Sequence, residues 1–121
     1  MLTILGQKVN TPIKSLERFP APQGVQRVVF RTDELTAVCP VTGQPDYYGL
    51  NLCYNPGDWC LESKSLKLYL WTFRERGVFA EALAVEIAQD VVDAIEPRPV
   101  SVTLLQTPRG GISLEVTCNL P

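Results

Sequence analysis

The sequence predicts an α+β domain, an antiparallel four-stranded sheet with two helices on one face. Three observations carry that expectation. The chain reads as strands, then two helices, then strands. Its strand-like runs include alternating apolar and polar residues, as in a sheet with one buried face. Its second helical run repeats apolar residues at steps of four. A chain of 121 residues is one domain in length and buries roughly two-thirds of its unfolded surface.

The elements follow in order. Residues 1–23 carry Pro12, Pro20 and Pro22 with little periodicity and read as an N-terminal arm, leaving 24–121 as the domain. Val25 to Thr32 is rich in β-branched residues and reads as a strand, and Glu34 to Cys39 as a second run. Pro40 to Asp46 is dense in turn formers. Tyr47 to Tyr54 alternates as a strand, Asn55-Pro56-Gly57-Asp58 turns, and Trp59 to Leu61 continues beyond. Ser63 or Ser65 is placed to cap a helix running to about Arg76, with Gly77 as its stop. A second helix is expected from Phe79 to about Glu96, with Phe79, Leu83, Ile87 and Val91 on its apolar face; Pro97 ends it. Val100 to Gln106 and Ile112 to Cys118 form a final hairpin around Pro108-Arg109-Gly110-Gly111. A lone sheet of four strands has exposed edges, so pairing between subunits is expected.

Composition narrows the function. The net charge is −2, which offers no electrostatic footprint for nucleic acid. No run approaches the roughly 18 apolar residues of a membrane span. The N-terminus lacks an apolar signal region, and a cytoplasmic protein is expected. Cys39, Cys53, Cys60 and Cys118 show no CxxC spacing, which argues against a zinc ribbon or a redox dithiol. Cys53 and Cys118 lie in strand-like runs and read as buried small apolar residues. The chain contains no histidine. Ser-His-Asp and Cys-His catalysis within one chain are thereby excluded, as is any His-ligated metal. Proton transfer falls to Asp, Glu, Lys, Tyr, Cys or water.

Cys39 ends a strand at the mouth of a loop. To attack as a thiolate it needs nearby positive charge, backbone donors or a base. Asp46 lies just past the turn and is placed to fold back toward it; taken alone, a loop cysteine is more often structural and an Asp after proline more often a turn residue. Lys64 and Lys67, three residues apart, share one face of a helix first turn. Cations there oppose the helix dipole and make most sense beside an anionic partner such as a phosphate, the alternative being a solvated basic face. Arg109 could add a planar guanidinium clamp, and Gly110 would let a ligand approach the backbone. Glu62 and Glu81 are carboxylates able to accept paired hydrogen bonds from a purine-like ring. Locally, Glu81 also suits a helix N-terminus.

Four segments in register resemble the queuosine-pathway nitrile reductases, the QueF family. They are Cys39-Pro-Val-Thr-Gly-Gln-Pro-Asp46, Glu62-Ser-Lys-Ser-Leu-Lys-Leu-Tyr69, Phe79-Ala-Glu81 and Thr107-Pro-Arg-Gly-Gly-Ile-Ser113. The resemblance covers about Arg27 to Val116. It implies an NADPH-dependent reduction of 7-cyano-7-deazaguanine to its aminomethyl form. Cys39 would form a covalent thioimidate and Asp46 would donate a proton. Leu61, Glu62, Ser63, Ala80 and Glu81 would hold the deazaguanine. Ser63, Lys64, Lys67, Arg109 and Gly110 would bind NADPH, with no metal. It also implies the tunnelling fold, with barrels assembled from several copies, a decamer for example, and active sites between subunits.

The sequence departs from that pattern at Ala80, where the family normally has histidine. Loss of one catalytic polar group costs on the order of 2–4 kcal/mol in the barrier. The chain is then expected to be a slow reductase, a variant that traps the thioimidate, or a relative with altered chemistry. Two other readings keep the fold: an archaeosine-type enzyme in which an amine resolves the thioimidate to an amidine, and a non-catalytic deazaguanine-binding protein.

Overall fold

The computed structural model describes residues 13–121. Pro12 and the first half of the expected arm lie outside them. The elements are β1 (Arg18–Pro20), β2 (Val28–Val38), β3 (Pro45–Tyr54), β4 (Trp59–Leu61), α1 (Ser63–Trp71), α2 (Ala80–Ile95), β5 (Val100–Arg109) and β6 (Ile112–Leu120). An antiparallel sheet of order β2-β3-β5-β6 carries the domain, and β1 pairs with β4 in a separate ribbon.

Alternation decides which face is buried. On β3, Asp46, Tyr48, Leu50, Leu52 and Tyr54 point inward, and on β5 so do Val100, Val102, Leu104 and Gln106. Helix α2 lies against β5 and β6, and α1 borders β2. Leu83, Ile87, Val91 and Ile95 of α2 are fully buried, while Ala84 and Ala88 leave room for the helix to sit close to the sheet. Tyr47 and Leu105, on the other face, are exposed.

Several expectations are corrected. The two runs across Val25–Cys39 are one strand, because an extra residue between Thr32 and Leu35 is absorbed as a bulge. Helix α1 stops at Trp71, short of Arg76. The Thr72 hydroxyl donates to the Tyr69 carbonyl, and the following amides bond three residues back, tightening the chain out of the helix. Neither Ser63 nor Ser65 caps α1. Glu62 does, its carboxylate accepting from the Lys64 and Ser65 amides at 2.9 and 2.8 Å. A carboxylate satisfies two orphan donors and complements the dipole. Phe79 is the N-cap residue of α2 rather than part of its apolar face, and is exposed.

The second half of the arm is integrated. Arg18 pairs with Leu61 across the β1–β4 ribbon, and its guanidinium stacks 3.9 Å from the Trp59 ring centroid. Lys14 reaches Glu86 at 3.0 Å and lies over the Phe73 ring. All four cysteines are free thiols; Cys39 and Cys60 are buried, whereas Cys53 and Cys118 are only half-buried.

Candidate active site

The Cys39 thiol is held by its own loop. Strand β2 ends at Val38, and the loop closes through the Cys39 amide donating to the Gln44 carbonyl and the Gly43 amide donating to the Cys39 carbonyl. Gly43 sits at φ +72°, a conformation that favours glycine. On the other side, Val38 exchanges backbone bonds with Arg76 and Val78. So tied down, the sulfur receives the Thr42 hydroxyl, the Thr42 and Val41 amides and the Arg109 guanidinium. These donors favour the anion over the opposing effect of desolvation, and bring the thiol from 9.0 down to about 7.

Asp46 lies opposite Ala37 in the β2–β3 ladder and is 3 % exposed. Arg109 Nη1 is 2.8 Å from its Oδ1. The contact is an ion pair without hydrogen-bond alignment, so among the described residues Oδ1 is buried with no hydrogen-bond partner. Such an orphaned acceptor is costly unless a ligand or a proton uses it. Arg109 is aimed into the cluster by a register irregularity between Gln106 and Arg109. Its Nη2 donates to Gln106 Oε1 at 3.2 Å, and Gln106 Nε2 donates to the Tyr48 hydroxyl at 3.1 Å. Burial raises Tyr48 above an ordinary phenol, and the charges of Asp46 and Glu81 add to this. Glu81 itself stands exposed in the first turn of α2, next to the buried Ala80.

A second feature is a groove of about 940 Å³ between β2 and α1. Ser63, Lys64 and Lys67 line it with Arg31 and Arg74. Asp33 and Glu34 line it too, so four cations outnumber two carboxylates in the cleft, a balance that suits an anionic ligand such as a dinucleotide's phosphates. The helix terminus contributes less than the sequence implied, because Glu62 already takes two of its amides.

The expected site residues therefore fall into two groups. Arg109 contacts both Cys39 and Asp46, and the charge of Glu81 is felt at neighbouring Tyr48. Ser63, Lys64 and Lys67 share the groove, but Arg109 and Gly110 do not line it. Leu61 and Glu62 are buried, and Glu62 serves as the cap. Sequence reasoning missed Thr42, Tyr48, Gln106, Arg31 and Arg74. Two signals were present: Tyr48 is two residues from Asp46 and shares its strand face, and Gln106 is the one polar residue in β5's inward alternation.

Known proteins resemble this chain in sequence and in fold. Residues 45–121 match the family model described as QueF-like protein. The chain is 47 % identical over 117 residues to a protein of Syntrophus aciditrophicus named NADPH-dependent 7-cyano-7-deazaguanine reductase, covering 95 % of this chain and 83 % of that one. It is 48 % identical over 103 residues to a protein of the same name from Alkalilimnicola ehrlichii, covering 84 % and 80 %. The crystal structure of the archaeosine synthase QueF-Like in the apo form superposes with a TM-score of 0.74 at 26 % identity, covering 78 % of this chain and 92 % of that one. The α+β tunnelling fold expected from the motifs is the fold observed. The chain belongs to the QueF-like protein family.

Proposed function

We propose that this chain reduces the nitrile of 7-cyano-7-deazaguanine to the aminomethyl group with NADPH, a step of queuosine biosynthesis, through a covalent bond to Cys39. The observation that supports the covalent route is the Cys39 thiol itself, held near pH 7 by Thr42, Val41 and Arg109 in a family whose relatives are named as reductases of this nitrile.

The chemistry follows from the cluster. The thiolate pair attacks the nitrile carbon, a C–S bond forms, and one C≡N π pair moves onto nitrogen. The thiol proton passes to Asp46, whose Oδ1 carries an unused lone pair, and from there to nitrogen, giving the thioimidate. NADPH, when bound, would supply hydride for both reduction stages: after the first, the C–S pair returns to Cys39 as thiolate and leaves an imine, and the second reduces that imine to the amine. Ser63, Lys64, Lys67, Arg31 and Arg74 would hold its phosphates in the groove, while Glu81 and the Leu61–Ser63 segment would grip the deazaguanine. Arg109 and Gly110 would reach the cofactor from a neighbouring copy, since in one protomer they lie apart from the groove. The open edges of β2 and β6 support assembly of several copies with sites between them.

The solved-structure likeness to an archaeosine synthase favours amidine formation as the second reading. It requires no NADPH, so the cationic groove weighs against it. Incubation with 7-cyano-7-deazaguanine separates the two: NADPH-dependent amine formation is expected, and ammonia-dependent turnover without NADPH would establish the amidine route. Full biological function after Cys39→Ala would instead mean that the chain only binds deazaguanine.

A further inference from the structure

Reducing a nitrile to an amine delivers two hydrides to carbon and two protons to nitrogen. Asp46 accounts for the first proton, and no histidine exists anywhere in the chain to give the second. Arg109 cannot give it, because a guanidinium does not lose its proton in proteins. We propose that Tyr48 is the second proton donor to the substrate nitrogen. This inference rests on the reductase reading above.

Tyr48 follows Asp46 by two residues on β3, so both side chains leave the same face of the sheet. It pairs in register with Gln106 and is 1 % exposed.

Arg109 can only donate, so the amide oxygen of Gln106 must face Arg109. The amide nitrogen therefore faces Tyr48 and donates to the phenolic oxygen. The phenolic proton is not spent on Gln106, and among the described residues no acceptor meets it. A buried hydroxyl whose oxygen is satisfied and whose proton is uncommitted is arranged to donate to a ligand.

When hydride adds to the imine carbon, the C=N π pair moves to nitrogen, which becomes strongly basic. It forms an N–H bond with the phenolic proton, and the O–H pair stays on Tyr48 as phenolate. Gln106 already donates to that oxygen, and its own carbonyl is polarised by Arg109, so the negative charge is met by an aligned dipole and a cation. Burial and the charges of Asp46 and Glu81 keep Tyr48 protonated until then. Water restores the proton once the amine leaves. Gln106 is a positioning residue in this scheme, and Tyr48 a catalytic one.

Tyr48→Phe keeps the ring and deletes only the proton. The expected result is a Cys39 mass adduct with 7-cyano-7-deazaguanine, formed without NADPH at the unaltered chain's rate. Steady-state NADPH oxidation should fall about a hundredfold, the usual scale for a general acid. Adding Ala80→His to Tyr48→Phe should recover much of the loss, because an imidazole at the start of α2, beside Glu81, offers another proton. A Tyr48→Phe chain that turns over normally, that fails to form the adduct, or that gains nothing from Ala80→His overturns the proposal. If the unaltered chain itself forms no adduct and oxidises no NADPH, the reductase reading falls instead.

Discussion

Arg109 stands between two acids: its Nη1 is 2.8 Å from Asp46 Oδ1, and the same guanidinium donates to the Cys39 sulfur. Both partners favour its charged form, and it in turn favours the Cys39 thiolate. The proposed nucleophile and the proposed proton carrier thus share one partner at a strand end.

The first prediction concerns pH. The Cys39 pKa is lowered, so reactivity grows as pH rises through about 7 and is lost below it. Iodoacetamide labelling of Cys39, followed by mass spectrometry, should have its midpoint there. Thr42→Val and Arg109→Met each remove a donor to the thiolate and should move the midpoint upward, toward the ordinary thiol. The larger shift is expected at Thr42, whose side chain is the leading cause.

The groove makes a separate prediction. Lys67→Ala and Arg74→Ala remove exposed cations from its wall. Each should raise the KM for NADPH several-fold and weaken its salt dependence, since exposed charges act through a screened field. The Cys39 adduct formed without NADPH should be unaffected. An adduct that weakens in parallel would mean that the groove holds the nitrile substrate rather than the cofactor.

Helix α1 depends on an acidic cap. Glu62→Ala leaves the Lys64 and Ser65 amides without their acceptor. It should lower stability by about 1–2 kcal/mol, read from the urea midpoint at unchanged slope. Glu62→Gln keeps one good acceptor and should cost less.

Core packing supplies a larger number. Ile87 is fully buried in α2 among the inward faces of the sheet. Ile87→Ala should cost about 2–5 kcal/mol by the same measurement, because lost burial and the cavity left behind add together.

How much of this was legible in the sequence depended on range. The period-2 runs of β3 and β5 and the steps of four in α2 were readable because each is decided by local burial alternation. The end of α1 was not, because it depends on the Thr72 hydroxyl bonding the Tyr69 carbonyl rather than on a strong breaker. The bulge in β2 was hidden for a similar reason: only the β3 partner reveals that Thr32 and Leu35 belong to one strand. In the site, Cys39 and Asp46 were marked by motif. Gln106 and Tyr48 were not, because their significance appears only once β3 and β5 pair and Arg109 turns onto both acids.

The central claim is that Cys39 bonds covalently to the nitrile and that the bond is then reduced. Intact-mass measurement after incubation with 7-cyano-7-deazaguanine alone tests it most directly, followed by addition of NADPH. The account predicts a mass increase of one substrate mapping to Cys39, absent in Cys39→Ala, that disappears as NADPH is oxidised and amine is released. An unchanged mass, with no NADPH oxidised, would contradict it.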